Sequence, residues 1–180
     1  CNDNSISLYI NYIRKSDPGI IKIKKIVEGE VNNKKILGNI LYSKGFIHNG
    51  SHMFNLCEFW FGKMKSFDVI KVHKKINSYD YKLSVRIEFQ KGTINFAPFE
   101  DIYYDYHSIE IWLSSGRIFL NDQNKIEYRI SKNYKLEEKS KIINTRLNLY
   151  QFNVLDQIIM DLKNKRAYTC KGNEGLECLI

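Results

Sequence analysis

The chain has 180 residues, of which 43% are hydrophobic, and this is enough for one domain with a sizeable core. Its formal net charge is +8, but the lysines are scattered among isoleucines and asparagines, whereas nucleic-acid binding needs a clustered basic surface. We therefore expect a single domain, residues 1–180, that binds no nucleic acid.

The cysteines give no sign of a metal, redox or disulfide framework. The four of them, Cys1, Cys57, Cys170 and Cys178, contain no CxxC pair, and they are too sparse for a disulfide-rich scaffold. No segment has the continuous apolar length of a membrane span, and the first residues lack the pattern of a signal peptide. These features predict a cytoplasmic protein with no membrane association.

The first elements are a strand and a helix. Alternating polar and apolar residues predict a strand over Ser5–Tyr12. Asp17 can cap a helix, Pro18 suits the first helical position and Gly29 is a typical stop, so a helix is predicted between Pro18 and Gly29.

A second strand and helix follow. Lys34–Tyr42 is predicted as the strand. After the polar turn Gly45–His52, a helix is predicted to run to Phe61 and to end at Gly62. Its apolar residues occupy nearly every side, which indicates that it is buried.

The second half of the chain is rich in short β-type runs. Turn signals between them are spaced for hairpins, which predicts a mostly antiparallel sheet. Helical spacing of apolar residues predicts a long helix over Asn148–Asn164 that packs on the sheet, and a last short helix is predicted over Asn173–Ile180. The predicted strands are Val69–Ile76, Tyr81–Gln90, Thr93–Phe99, Ser108–Ser114, Arg117–Leu120 and Ile126–Ile130.

These elements predict an α+β fold: a large, mainly antiparallel sheet with helices packed on one face. The strands carry apolar residues at consecutive positions, as in Ile111-Trp112 and Ile118–Leu120, which indicates that both faces are covered. We therefore predict a homo-oligomer in which the helix-free faces of the sheets pack together.

The turn Gly45–His52 is the leading candidate site. It places His48 and His52 at the start of a helix together with free backbone N–H groups, which suits an anionic or hydroxyl-rich ligand. From the residues alone, a histidine that caps the helix is the favoured interpretation of His52. A metal site is a weaker alternative, because Glu58 points away at helical spacing and no third ligand is near in sequence, so we expect no metal.

The order of several motifs resembles the C-terminal domain of the Gfo/Idh/MocA family of NAD(P)-dependent oxidoreductases. Each motif alone is weak, but together they cover nearly the whole chain. The motifs are Tyr12-Ile13-Arg14 four residues before Pro18, Ile26–Val31, Gly50-Ser51-His52 followed ten residues later by Gly62, Asn55-Leu56, the helix Tyr150–Asn164, and Gly172–Leu176.

The resemblance implies roles for individual residues. His52 takes the position of the family's catalytic histidine, which exchanges the proton of the sugar hydroxyl, and imidazole titrates near the pH that this chemistry needs. His48 stands where the family commonly has an aspartate, which leaves the proton relay in doubt. The expected substrate-binding residues are His48, Asn49, Arg14, Tyr150 and Asn153.

The sequence lacks the GxGxxG fingerprint of a dinucleotide-binding domain and the family's Glu-Lys-Pro segment. We therefore expect this chain to be the domain that binds the sugar or nucleotide-sugar substrate. Residues 1–14 would be the end of the nucleotide-binding domain and its junction. NAD or NADP is expected in the full-length protein and none bound to this fragment. The turn resembles that of members in surface-polysaccharide synthesis. The alternative is a catalytically inactive binding or dimerisation module of the same fold.

Overall fold

The computed structural model describes residues 7–30, 36–99 and 104–178. Parts of three predicted elements lie outside the described residues: residues 5–6 of the first strand, residues 34–35 of the second, and residues 179–180 of the last helix. Cys1 and the rest of residues 1–6 of the predicted junction segment also lie outside them.

Within the described residues the chain forms eleven strands and four α-helices. Their bounds are β1 Tyr9–Ile10, α1 Pro18–Glu28, β2 Ile36–Tyr42, α2 Ser51–Phe61, β3 Met64–Lys75, β4 Tyr81–Phe89, β5 Gly92–Pro98, β6 His107–Leu113, β7 Gly116–Leu120, β8 Ile126–Lys132, β9 Lys135–Leu136, β10 Lys141–Ile143, α3 Tyr150–Leu162, β11 Cys170–Lys171 and α4 Gly172–Glu177. A 3₁₀ turn, Ile13–Ser16, precedes α1, and a π-helical turn, Phe46–Gly50, precedes α2.

The main sheet has the strand order β10-β8-β7-β6-β2-β5-β4-β3, and β9 pairs with β8. Its neighbouring strands are antiparallel except β2 and β5, which run parallel. The short strands β1 and β11 pair separately. The predicted α+β fold with a large, mainly antiparallel sheet is confirmed, and the sheet is open.

The core lies between one face of this sheet and the helices α1 and α2. Asp17 caps α1 through hydrogen bonds from the N–H groups of Gly19 and Ile20, as the sequence predicts. Trp60 of α2 is buried and donates its indole N–H to the carbonyl of Ile20 in α1, at 3.1 Å. The two helices therefore form one layer over the sheet.

Two sequence predictions about individual elements are wrong. The first strand is only β1, because Tyr9 and Ile10 have a partner strand in β11 and no place in the main sheet. The long helix α3 does not bury its apolar stripe against the sheet: Phe152 and Leu155 are exposed, and the helix packs on the 3₁₀ turn. The polar segment 132–144 also contains strands, β9 and β10, which join the sheet through β8.

The face of the sheet opposite α1 and α2 carries exposed side chains. Along β2 the burial alternates, so that Ile36 and Ile40 face the core while Leu37 is 52% exposed. Leu37 is paired with Trp112 of β6, which is 38% exposed. The face predicted for oligomer contact is thus open and partly apolar within this chain.

Candidate functional site

A π-helical turn carries the chain from β2 into α2, and Asp80 fixes it in place. Asp80 belongs to the turn between β3 and β4 and is buried. Its carboxylate accepts hydrogen bonds from the backbone N–H of Ile47, at 2.8 Å, and from that of His48, at 3.1 Å. The N–H groups of Asn49 and Gly50 bond to the carbonyl of Gly45.

This arrangement corrects one expectation. The sequence predicts free backbone N–H groups at this turn as part of a ligand site, but those of Ile47 and His48 are bound to a carboxylate. A second anion at the same donors would be repelled by that charge. The function of the turn is therefore to position side chains, chiefly those of His48 and His52.

His52 lies in the first turn of α2 and is partly exposed. The ring of Tyr12 packs edge-on against its imidazole, with centroids 4.8 Å apart and planes at 80°. Burial, then the charge of Arg14 and the proximity of His48, together lower the pKa of His52 to about 4. The imidazole is therefore neutral at pH 7.

Arg14, in the 3₁₀ turn, lies beside a second histidine. Its Nη2 donates to Nε2 of His107, at the start of β6, across 3.4 Å. Since Nε2 accepts this bond, His107 carries its proton on Nδ1. Burial, and then the charge of Arg14, lower the pKa of His107 to about 4, while a hydrogen bond with Asn124 opposes the shift. Burial also lowers the pKa of Arg14 itself, to about 10.

The exposed edge of this cluster is polar. His48 is exposed, and Asn49 donates to the hydroxyl of Ser43, at 3.4 Å. Asp105 forms an ion pair with Lys44, at 2.6 Å, and hydrogen bonds from Lys44 and Asn49 hold the pKa of its carboxyl below the usual value. Hydroxyl-rich ligands are bound by groups of this kind.

The structure thus brings together four of the six predicted site residues. Arg14, His48, Asn49 and His52 lie at one end of the sheet and influence one another electrostatically or through shared partners.

The remaining two predicted residues lie on α3. Tyr150 is 39% exposed at the start of that helix. Asn153 is buried and donates to the carbonyl of Arg146, at 2.9 Å. It lines a cavity of about 400 Å³ together with Ser16 and Pro18. Their role in binding stays a prediction.

Two residues of the cluster, Asp80 and His107, are not among the predicted site residues. Asp80 is separated by 32 positions from the N–H of His48, to which it bonds, and a lone aspartate in a polar turn gives no signal of that contact. His107 follows a run of tyrosines that resembles an ordinary sheet edge. In the described ranges 7–30, 36–99 and 104–178, no three histidine, cysteine or carboxylate side chains are placed to hold a metal ion. Nor does that part of the chain contain a helix with the length and hydropathy needed to cross a bilayer.

Solved structures of oxidoreductases share this fold. A UDP-N-acetylglucosamine 3-dehydrogenase from Acidithiobacillus ferrooxidans superposes with a TM-score of 0.73 at 12% identity, over 99% of this chain and 60% of that one. An oxidoreductase from Agrobacterium radiobacter, solved with NAD⁺, L-tartaric acid and magnesium, gives 0.66 at 13% identity, over 99% and 61%. A dehydrogenase from Clostridium difficile gives 0.64 at 15% identity, over 95% and 58%.

These likenesses confirm, at the level of the fold, the resemblance that the motifs indicate. The chain spans about three fifths of the length of these structures. No family model matches the sequence, and no curated protein matches it significantly.

Proposed function

We propose that this chain is the substrate-binding domain of an NAD(P)-dependent sugar or nucleotide-sugar oxidoreductase, with His52 as the proton-transfer residue. The observation that supports it most directly is the position of a neutral, partly exposed imidazole within a polar cluster, on a fold that solved dehydrogenases share. The resemblance of the turn further favours a role in surface-polysaccharide synthesis, in the cytoplasm.

The chemistry that this chain can supply is binding and proton transfer. A neutral imidazole accepts a proton, so His52 can take the proton of a substrate hydroxyl, while NAD(P) held by the full-length protein would accept the hydride from that carbon. Asn49 and His48, at the exposed edge, can hydrogen-bond the neighbouring hydroxyl groups. Tyr12 packs edge-on against one side of the His52 ring.

The residues of this chain do not fit a dinucleotide. In a dinucleotide site the turn from a strand into a helix offers its free N–H groups to the pyrophosphate. In the described part of the chain the corresponding turn, from β2 into α2, has N–H groups bound to the Asp80 carboxylate instead. NAD or NADP would therefore be held by another domain of the protein, and this chain would complete the site from the substrate side.

The test is the turnover of nucleotide sugars by this chain joined to its nucleotide-binding domain. We expect His52→Ala to abolish most turnover, with substrate binding largely kept. The matched control is His73→Gln on β3, where the imidazole bonds to Ser84 at 2.6 Å and belongs to no part of the cluster. Unchanged turnover in His52→Ala would refute the role of His52. A wild-type protein that binds sugars without turnover would establish the inactive module instead.

We also propose that the open face of the sheet forms the contact of a homo-oligomer. The adjacent pair Leu37 and Trp112, both exposed, supports this. Sedimentation equilibrium at micromolar concentration should show an oligomer that Trp112→Lys dissociates. Tyr79→Lys, at a more exposed aromatic in the β3–β4 turn, should leave the mass unchanged. A wild-type monomer would refute the proposal.

A further inference from the structure

Arg14 carries a buried charge that no group in the described residues neutralises. Its Nε is buried without a hydrogen-bond partner, and its Nη2 makes one long bond, to His107. Among the residues that the structure describes, no carboxylate forms an ion pair with the guanidinium. Arg14 as a whole residue is only partly buried, so a ligand can approach it from solvent.

The groups around Arg14 do not supply the missing negative charge. His52 and His107 are neutral at pH 7. The charge of Arg14 lowers the pKa of both, as a cation without a counter-ion would. Asp105, at the exposed edge of the cluster, is already paired with Lys44. Asp122 is exposed and acts on His107 only through space.

A guanidinium with unused donors is a recognition group for oxyanions. Its planar fork matches the two oxygens of a carboxylate or a phosphate, and such bonds are strongest where water is excluded. Leaving a buried charge without any partner is unfavourable, so its retention at this position calls for a partner that arrives with the ligand. His107 orients the fork from one side through its bond to Nη2.

We propose that Arg14 binds an oxyanion of the substrate, a sugar carboxylate or a phosphate, beside His52. The sugar part of this inference rests on the proposed function, whereas the oxyanion part rests on Arg14 alone. A bound anion would cancel the charge that lowers the pKa of His52, and so bring the imidazole nearer to the pH at which it can both accept and return a proton.

The experiment is a calorimetric titration of the 180-residue chain, without any dinucleotide, at fixed ionic strength. The probes are D-glucuronate, which adds a carboxylate to a sugar ring, UDP, which supplies a diphosphate, and D-glucose, which is neutral. We expect at least one of the two anions to bind ten times more tightly than glucose or better. Preference for glucuronate identifies a sugar acid, and preference for UDP identifies a nucleotide sugar.

Variants separate Arg14 from general surface charge. Arg14→Gln should remove the tenfold advantage of the anion, and Arg14→Lys, which keeps the charge but loses the fork, should keep a part of it. Arg166→Gln removes an exposed arginine, stacked on Tyr168, that belongs to no part of the cluster, and it should change nothing. If Arg14→Gln does not fold, Arg14→Lys decides the matter, because an undiminished anion preference in that variant would overturn the inference.

Two results would overturn the inference: equal affinities of the wild-type chain for glucose and both anions, or an anion preference that survives in Arg14→Gln. Neither result depends on turnover. If His52→Ala leaves turnover unchanged while the anion preference holds, the proposed catalytic role fails and the binding site remains. If turnover depends on His52 and no anion is preferred, the catalytic role of His52 stands and the anion site at Arg14 fails.

Discussion

Replacing Arg14 with glutamine should raise the pKa of His52 only part of the way to its ordinary value. In the wild-type chain that pKa lies at about 4, against 6.5 for an unperturbed imidazole. Burial is the largest cause and the charge of Arg14 the next, so Arg14 accounts for less than half of the difference. We therefore expect the pKa of His52 in Arg14→Gln to rise but to stay closer to about 4 than to 6.5.

The assay is a pH titration of the imidazole nitrogens by long-range ¹H–¹⁵N NMR, with Arg166→Gln as the matched control. His107 provides a second readout, because burial and then Arg14 lower its pKa in the same order. A wild-type pKa near 6.5 for His52 would refute its burial within the cluster. A return to 6.5 in Arg14→Gln would refute the dominance of burial over charge.

Four further outcomes follow from contacts at and around the site. The lowered pKa values of His52 and His107 mean that the folded state binds protons less readily than the unfolded state. The free energy of unfolding should therefore fall as the pH drops from about 6.5 to about 4. In urea titrations, His107→Gln should make this fall smaller. Asp80→Asn should lower the free energy of unfolding by about 1.5–3 kcal/mol, because a charged acceptor of two backbone bonds is lost; a smaller loss than in a surface aspartate would contradict the bonding scheme. Tyr42→Phe should cost about 1–3 kcal/mol, since the buried hydroxyl bonds both the N–H and the carbonyl of Leu83; an unchanged melting temperature would show that water replaces it. The thiol of Cys57 should resist alkylation until the chain unfolds, because burial raises its pKa and closes access; labelling by iodoacetamide in native buffer would exclude that packing.

The elements with strong local signals are predicted well from the sequence. Helix α1 begins and ends where Asp17, Pro18 and Gly29 indicate, because capping is decided by side chains adjacent in sequence. The strands of the β-rich half agree with the hairpin spacing, because the residues that form a tight turn are also adjacent in sequence. The parallel pairing of β2 with β5 has no local sequence signal. The two strands are separated along the chain by α2 and the β3–β4 hairpin.

The site is predicted from the sequence only where its residues are neighbours along the chain. His48, Asn49 and His52 belong to one turn and are found together. Asp80 and His107 come from distant segments of the sequence. Only the folded structure shows that Asp80 holds that turn and that His107 bonds to Arg14.

Helix α3 shows the opposite limit of sequence reasoning. Its apolar spacing correctly predicts a helix, but spacing does not say which surface an apolar stripe meets. In this chain the stripe that includes Phe152 and Leu155 faces solvent, and the helix packs through other residues, among them the buried Asn153. Periodicity therefore identifies an element more surely than it identifies that element's partner.

The carboxylate of Asp80 links the β3–β4 hairpin mechanically to the histidines. Strand β3 is exposed along nearly its whole length, so this strand of the hairpin is open to outside contact. A force or a binding event that displaced its tip would pull on the backbone of His48 through two hydrogen bonds. Sequence changes in residues 76–80 should accordingly be read as changes to the site, although they lie about thirty positions from His48.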